Sequence, residues 1–421
     1  MNGPGKAPPP ADWCDIDPDS VSAEHAQRLI RETVSPLVQV ETVAVRAALG
    51  RVAATDIKST VRVPNHTNAA MDGYALAGRD LPGGKGKQLQ VIGVSMAGKP
   101  FDGTVGEGQC VRIMTGAVMP AGTDSVIIQE RVERQGDLIT VEEGEKPGAN
   151  VRRAGEDLEV GAIAIAAGRR LNPSHLGLAA SLGFAELPVV RRPRVAFFSN
   201  GDELRAVGGT LAIGELYDSN RYTLYGMLSE LGVEMVDLGI VPDDADTVAA
   251  AFEQAAACAD MVITSAGASA GEADYVRQTL GRLGEVLFYK VAIKPGRPMA
   301  FGRLGDSLFF GLPGNPVSVM ATFEIFVKPA LRQLAGEAPV EPLRLRVKTT
   351  TPLKKRPGRA EYQRGVLSTD AAGATAVRST GEQGSGILSS MGEANCFIIL
   401  PTDSEGVAAG EMVEVRPFSR P

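Results

Sequence analysis

Between residues 191 and 336 short apolar runs alternate with longer mixed ones, and this alternation restricts the fold more than any other feature. RVAFFSN (194–200), EMVDLGIV (234–241), DMVITS (260–265) and SLFFGLP (307–313) are rich in β-branched and aromatic residues and short enough to be buried strands. NRYTLYGMLSELG (220–232), ADTVAAAFEQAAA (245–257), EADYVRQTLGRLG (272–284) and the long stretch 316–336 read as helices. Strands alternating with helices at this interval predict a parallel, doubly wound α/β sheet.

The flanks have a different rhythm. Residues 1–20, rich in Pro, Gly and Asp, read as a disordered tail. A helix follows, with Ser22 as its N-cap and Leu29, Ile30 and Val34 on one face. Short β-branched runs broken by Gly and Pro make 51–147 a mostly-β module, and 21–50 with 148–190 an elongated linker subdomain. Beyond 336, runs such as RLRVKTT, AEYQRGVLS and NCFIILP predict a small C-terminal β-barrel over 337–421.

Charge and cysteine content narrow the function classes. A net charge of −7 argues against a nucleic-acid-binding body. Four scattered cysteines and three histidines argue against a structural zinc site or a disulfide framework, so a reducing, cytoplasmic setting is expected. No apolar run is long enough to span a bilayer, and the N-terminus lacks the core of a signal peptide.

Ligands of open α/β sheets bind beyond the carboxyl ends of the strands. Each strand here is followed by a loop of turn-forming residues: Asn200-Gly201-Asp202-Glu203, Pro242-Asp243-Asp244, residues 266–274, and Pro313-Gly314-Asn315-Pro316. The segment 266–274, entered from Ser265 and holding Gly267, Ser269 and Gly271, suits a phosphate cradle, although it is also an ordinary strand–helix turn. Glu203, Asp243 and Asp274 on the same rim suggest a hard cation such as Mg2+, while Asp244 looks like a helix N-cap. Lys290 and Lys294, four apart in an extended segment, are expected on one face with Arg297, where they suit an oxyanion or phosphate; a solvated edge strand is the plainer alternative.

Read in order, NAAMDGYAL (68–76), RIMTGAVMPAGTDSVIIQE (112–130), GANVRRAGEDLEVGA (148–162), NGDEL (200–204), YDSNRYTL (217–224), GIVPDD (239–244), TSAGASAGEADYV (264–276), YKVAIKPGRPMAFG (289–302), GLPGNPVSV (311–319), YQRGVL (362–367) and NCFIILP (395–401) resemble the molybdopterin molybdenumtransferase family, which includes the C-terminal domain of gephyrin. The resemblance implies an elongated homodimer of four-subdomain chains. Its substrates would be molybdopterin-AMP, supplied by a molybdopterin adenylyltransferase, and molybdate, with Mg2+. It further implies that Asp72 and Thr115 approach the partner chain's site, and that Asp157, Glu203, Asp243 and Asp274 form the acidic set. Lys290 and Lys294 would be the basic pair. Pro313 and Pro316 would shape a substrate loop, and Arg364 and Ser385 would lie near the cleft.

Several positions depart from the family pattern. Ala266 and Ala268 stand where Gly and Val are usual, Asn200 replaces a Ser or Thr, and Gly386 replaces a histidine. A tungstate-inserting paralogue and a non-catalytic scaffold of the gephyrin kind are the alternatives. The scaffold would need a fused adenylyltransferase domain, and the residues before the first helix are too few to fold as one.

Overall fold

The structure, a computed structural model, describes residues 20–82, 86–141, 146–265 and 275–418. The expected tail, and the loop carrying Gly267, Ser269, Gly271 and Asp274, lie outside the described residues. The chain divides into two compact units. One takes in the chain up to Glu41, Gly50–Ala54 and everything from Val189 on; the other comprises Thr42–Leu49 and Thr55–Pro188.

The first unit contains the α/β sheet. Its strands are β1 (Arg194–Asn200), β2 (Glu234–Val241), β3 (Met261–Ser265), β4 (Glu285–Lys290), β5 (Pro298–Leu304) and β6 (Ser307–Leu312). Its helices are α1 (Ser219–Leu231), α2 (Ala245–Cys258), α3 (Tyr275–Leu283) and α4 (Pro316–Thr322), the last continued through one π-helical turn, Phe323–Val327, into Lys328–Leu334. The strand order is β2-β1-β3-β6-β5-β4.

The expected parallel sheet is found in four neighbouring strands and needs correction at β5. β2, β1, β3 and β6 are parallel, but β5 forms an antiparallel hairpin with β6 and pairs antiparallel with β4. The reason is local: Gly305, at φ +57, turns the chain between β5 and β6, so no helix intervenes and the strand must reverse. The predicted single helix 316–336 also differs, because Pro329 has no N–H for the ladder and its ring crowds the carbonyl four residues back; the π turn precedes it.

Local signals place the helix starts. The Asp218 side chain accepts from Arg221 N to cap α1, and Asp244 accepts from Thr247 N at 2.9 Å to cap α2, as its sequence position suggested. Alternation along the buried strands then sends neighbouring side chains to opposite faces. Phe197, Ile263, Phe301 and Phe310 enter one core, which also takes Ala26 and Ile30 from the N-terminal helix Ala23–Thr33 and Val34 just beyond it. Phe198, Val262, Ala300 and Phe309 enter the other, under Val248, Phe252 and Ala255 of α2. The Phe252 ring meets those of Phe198 and Phe309 edge-on at 5.3 and 5.4 Å. Each such buried side chain contributes about 1.5–3 kcal/mol.

The same unit carries a closed barrel of β7 (Leu345–Thr349), β8 (Ala360–Thr369), β9 (Thr375–Ser379), β10 (Cys396–Leu400) and β11 (Met412–Pro417). The circuit runs β8-β9-β7-β11-β10 and returns to β8, which leaves no free sheet edge between these strands. Its interior is Val347, Val377, Cys396, Ile398, Val413 and Val415. The second unit holds a six-stranded sheet in which Gly73–Leu76 lies between Ser125–Ile128 and Gln109–Ile113. No helix among the described residues is long and apolar enough to cross a membrane.

Candidate active site at the carboxyl edge of the sheet

Because β2, β1, β3, β6 and β4 run the same way, their carboxyl ends share one edge. The reversed β5 begins at that edge, where its Pro298 stands opposite Lys290 at the end of β4. Reading along the strand order among the described residues, the edge is acidic after β2 and β1, carries the uncharged Pro313, Gly314 and Asn315 after β6, and is cationic at Arg297 and Lys290. At the usual strand spacing, β1 and β5 are about 14 Å apart.

The acidic end is built by two interlocked loops. Asn200 donates from Nδ2 to the carbonyls of Val241 and Pro242 at 3.0 and 3.3 Å. Asp243 N donates to Asp202 Oδ1 at 3.1 Å. Gly201 has φ +152, and a Cβ there would lie 2.5 Å from the Glu203 carboxylate, so glycine is required at this bend. Burial, and then the neighbouring charges of Asp202 and Glu203, raise the Asp243 pKa above the ordinary carboxylate value. Asp243 thus senses two neighbouring carboxylates. Among the described residues no set of three or more His, Cys, Asp or Glu side chains closes into a metal cage. The donors nonetheless fit a cation that takes only one or two carboxylates and completes its shell with phosphate oxygens and water.

The middle of the edge rests on a residue that the sequence placed only within a matching stretch. Asn220, in the first turn of α1, donates from Nδ2 to Ser265 Oγ at 2.8 Å and to the Gly314 carbonyl at 2.7 Å. A carbonyl can only accept, so the amide orientation follows. Asn220 therefore clips the end of β3 to the loop after β6. Its helix is seated by Asp218, 1% exposed, which accepts from Ser199 Oγ at 2.8 Å and from Arg221 Nε at 3.2 Å. Arg221 also reaches Asp237 at 2.9 Å. The signal for Asn220 was its position: a side chain one turn into a helix that starts at the ligand edge. Beside it, Pro313 is buried, Gly314 and Asn315 are exposed, and Pro316 opens α4.

The expected common face of Lys290 and Lys294 is not formed, because the extended segment is broken. The main sheet ends at Lys290, and Ile293–Lys294 pairs instead with Ala360–Glu361 of the barrel. Lys294 Nζ lies 3.1 Å from Glu361 Oε1. Arg364 is also placed differently from a ligand-facing group. It is 1% exposed, and its guanidinium donates to Ser390 Oγ and to the carbonyls of Glu382, Gln383 and Gly384. Its donors shape the loop that carries Ser385, whose carbonyl accepts from Val317 N at the start of α4 at 3.1 Å.

In the second unit, Asp72 and Thr115, distant in sequence, are joined. The Asp72 carboxylate accepts from Thr115 Oγ1 at 2.6 Å and from Thr115 N at 2.7 Å. The hydroxyl bond, followed by the backbone one, lowers the Asp72 pKa. Asp157 is exposed in the same unit, and its N–H donates to the Val63 carbonyl.

Comparison with known proteins gives the same order of parts. The family model described as MoeA N-terminal region (domain I and II) matches residues 21–183. Probable molybdopterin binding domain matches 198–333, and MoeA C-terminal region (domain IV) matches 346–418. A molybdopterin molybdenumtransferase of Haemophilus influenzae is 42% identical over 95% of this chain and 99% of its own length. Molybdopterin molybdenumtransferase 2 of Mycobacterium tuberculosis is 34% identical over 94% of this chain and 98% of its own. The crystal structure of the molybdopterin biosynthesis moeA protein from Pyrococcus horikoshii superposes with a TM-score of 0.83 at 29% identity, covering 95% of this chain and 100% of that one. The chain belongs to the MoeA family of molybdopterin molybdenumtransferases.

Proposed function

We propose that this chain inserts molybdate into the dithiolene of adenylylated molybdopterin and releases AMP, completing the molybdenum cofactor. The observation that carries the reading is the division of charge along the strand edge, acidic at Asp202, Glu203 and Asp243 and cationic at Lys290 and Arg297. The reactants are a phosphorylated pterin and an oxyanion, which repel each other. A site that brings them together needs cationic side chains for the anions and carboxylates that retain a counter-cation.

Mg2+, when bound, would supply the charge that screens the substrate phosphates from the carboxylates. Asp243 and Glu203 are the residues to hold it, with Asp274 as the third member of the set. Lys290, Lys294 and Arg297 bind the oxyanion or phosphate, and Ser265 and Gly314, clipped by Asn220, floor the site between the poles. Holding both reactants side by side supplies much of the acceleration. The upstream supplier is a molybdopterin adenylyltransferase. The working form is a homodimer in which Asp72 and Thr115 of one chain, already joined to each other, serve the site of the next.

The test is to incubate the protein with molybdopterin-AMP, Mg2+ and a series of molybdate concentrations and to follow AMP release. AMP formation that rises with molybdate and saturates is expected. AMP release that is absent, or indifferent to molybdate, overturns the reading.

A further inference from the structure

The barrel contributes a buried acid to the site. Glu361, on β8, has a side chain only 6% exposed, whereas that of its partner Lys294 is 49% exposed. A carboxylate so far from water needs a cation and hydrogen-bond donors. Its Oε1 accepts from Lys294 Nζ at 3.1 Å, and its Oε2 accepts from Gln363 Nε2 at 2.9 Å. Gln363 is itself fixed, because the same nitrogen donates to the Lys354 carbonyl at 2.8 Å. The backbone fixes the pair as well, since Ile293–Lys294 runs parallel to Ala360–Glu361 in a ladder.

Lys294, Lys355 and Arg364 differ in what their donors do. Lys355 Nζ is spent on the carbonyls of Arg356, Thr402 and Ser404. Arg364 is spent on the 382–384 loop and Ser390. The Lys294 ammonium has three N–H donors, of which one reaches Glu361; the other two have no protein acceptor among the described residues. Lysine is a point charge on a flexible stem, so an anchor that takes one donor and leaves two outward reduces its freedom without consuming its charge.

We infer that Glu361 is a positioning residue for the transferase reaction: from the barrel, without touching substrate, it holds the Lys294 ammonium where it meets the oxyanion. This rests on the reading of Lys294 as an anion-binding residue.

The experiment is a double-mutant cycle in the full-length protein: Lys294→Met, Glu361→Gln and the double variant, each assayed for AMP release over a molybdate series, with a thermal melt of each. Lys294→Met is expected to raise the half-saturating molybdate concentration ~10-fold or more, as loss of a charge-assisted contact does. Glu361→Gln should raise it several-fold with little change in kcat, and the double variant should be no worse than Lys294→Met alone. Glu361→Asp, which keeps the charge, should recover part of the loss; if Glu361→Gln melts below the assay temperature, Glu361→Asp is read in its place. An unchanged molybdate requirement in the Glu361 variant, or independent and multiplying effects in the double variant, overturns the positioning role while leaving Lys294 as a ligand. A Lys294→Met protein with unaltered molybdate dependence overturns the Lys294 reading itself.

Discussion

Asp243, proposed to hold the cation, carries a cost to the fold. Its carboxyl is partly buried beside Asp202 and Glu203, and its pKa is raised for those reasons. A raised carboxylate pKa means that the folded state binds the proton more tightly than the unfolded one. The folded state is therefore favoured at low pH and loses that advantage as pH rises from the unfolded pKa through the folded one. At neutral pH the ionised group opposes folding, and Asp243→Asn should remove that opposition. We expect the metal-free variant to melt slightly higher than wild type at pH 7, with the difference shrinking in acid. Its Mg2+ requirement for AMP release should rise at least ~10-fold, the lower scale on which even an outer-shell metal partner counts. Melts across pH, paired with Mg2+ titrations, decide the point: a variant destabilised at pH 7 with unchanged Mg2+ dependence would place Asp243 in the scaffold instead. Asn220 has the opposite character. It is uncharged, its two bonds tie two separate strand ends, and only the folded sheet brings its partners together.

Among the elements, the loop 382–385 is held by the buried Arg364 together with the Gln383 amide. Arg364, fixed on β8, fans its donors over three successive carbonyls and the Ser390 hydroxyl. The guanidinium is a planar fork, and an ammonium cannot reach the same acceptors from one point. Arg364→Lys should therefore leave at least one carbonyl bare, at about 1–3 kcal/mol for each. Urea unfolding should show that loss, and activity should fall with it because Ser385 docks the loop on Val317. A variant of wild-type stability would show that the loop holds itself. The hairpin of β5 and β6 matters in another way. By reversing one strand it returns Arg297 to the carboxyl edge, opposite the end of β4, which a purely parallel sheet would not do.

For the molecule as a whole, the acidic residues divide between two compact units. Asp72 and Asp157 belong to one, and Glu203 and Asp243 to the other. If a working site draws Asp72 from one chain and Glu203 from the next, two differently damaged chains can rebuild one site. Asp72→Ala and Glu203→Ala should each be inactive as homodimers. Mixed under conditions that exchange subunits, they should regain a fraction of wild-type AMP release, since every heterodimer holds one intact site. Differently tagged chains purified together show whether heterodimers form, and heterodimers that remain inactive would refute a shared site.

What the sequence determined by itself was everything governed by neighbours along the chain. The apolar runs of β1, β3 and β6 are legible because strands buried on both faces need side chains of one kind. The caps Ser22 and Asp244 are legible because a cap acts within one turn of itself. The acidic loops could be placed on one edge from strand direction alone, and the recurring stretches carried the family. Only the tertiary structure decided what depends on register and burial. A lysine pair four residues apart shares a face only if the strand continues, and here the chain passes from the sheet to the barrel between them. Whether a basic side chain is enclosed by protein acceptors or left open to solvent depends on what surrounds it, and Arg364 is buried while Lys294 is half exposed. Glu361 drew no notice as a letter in AEYQRG. Its role arises because folding removes water from its carboxylate and leaves the Lys294 ammonium as its neighbour.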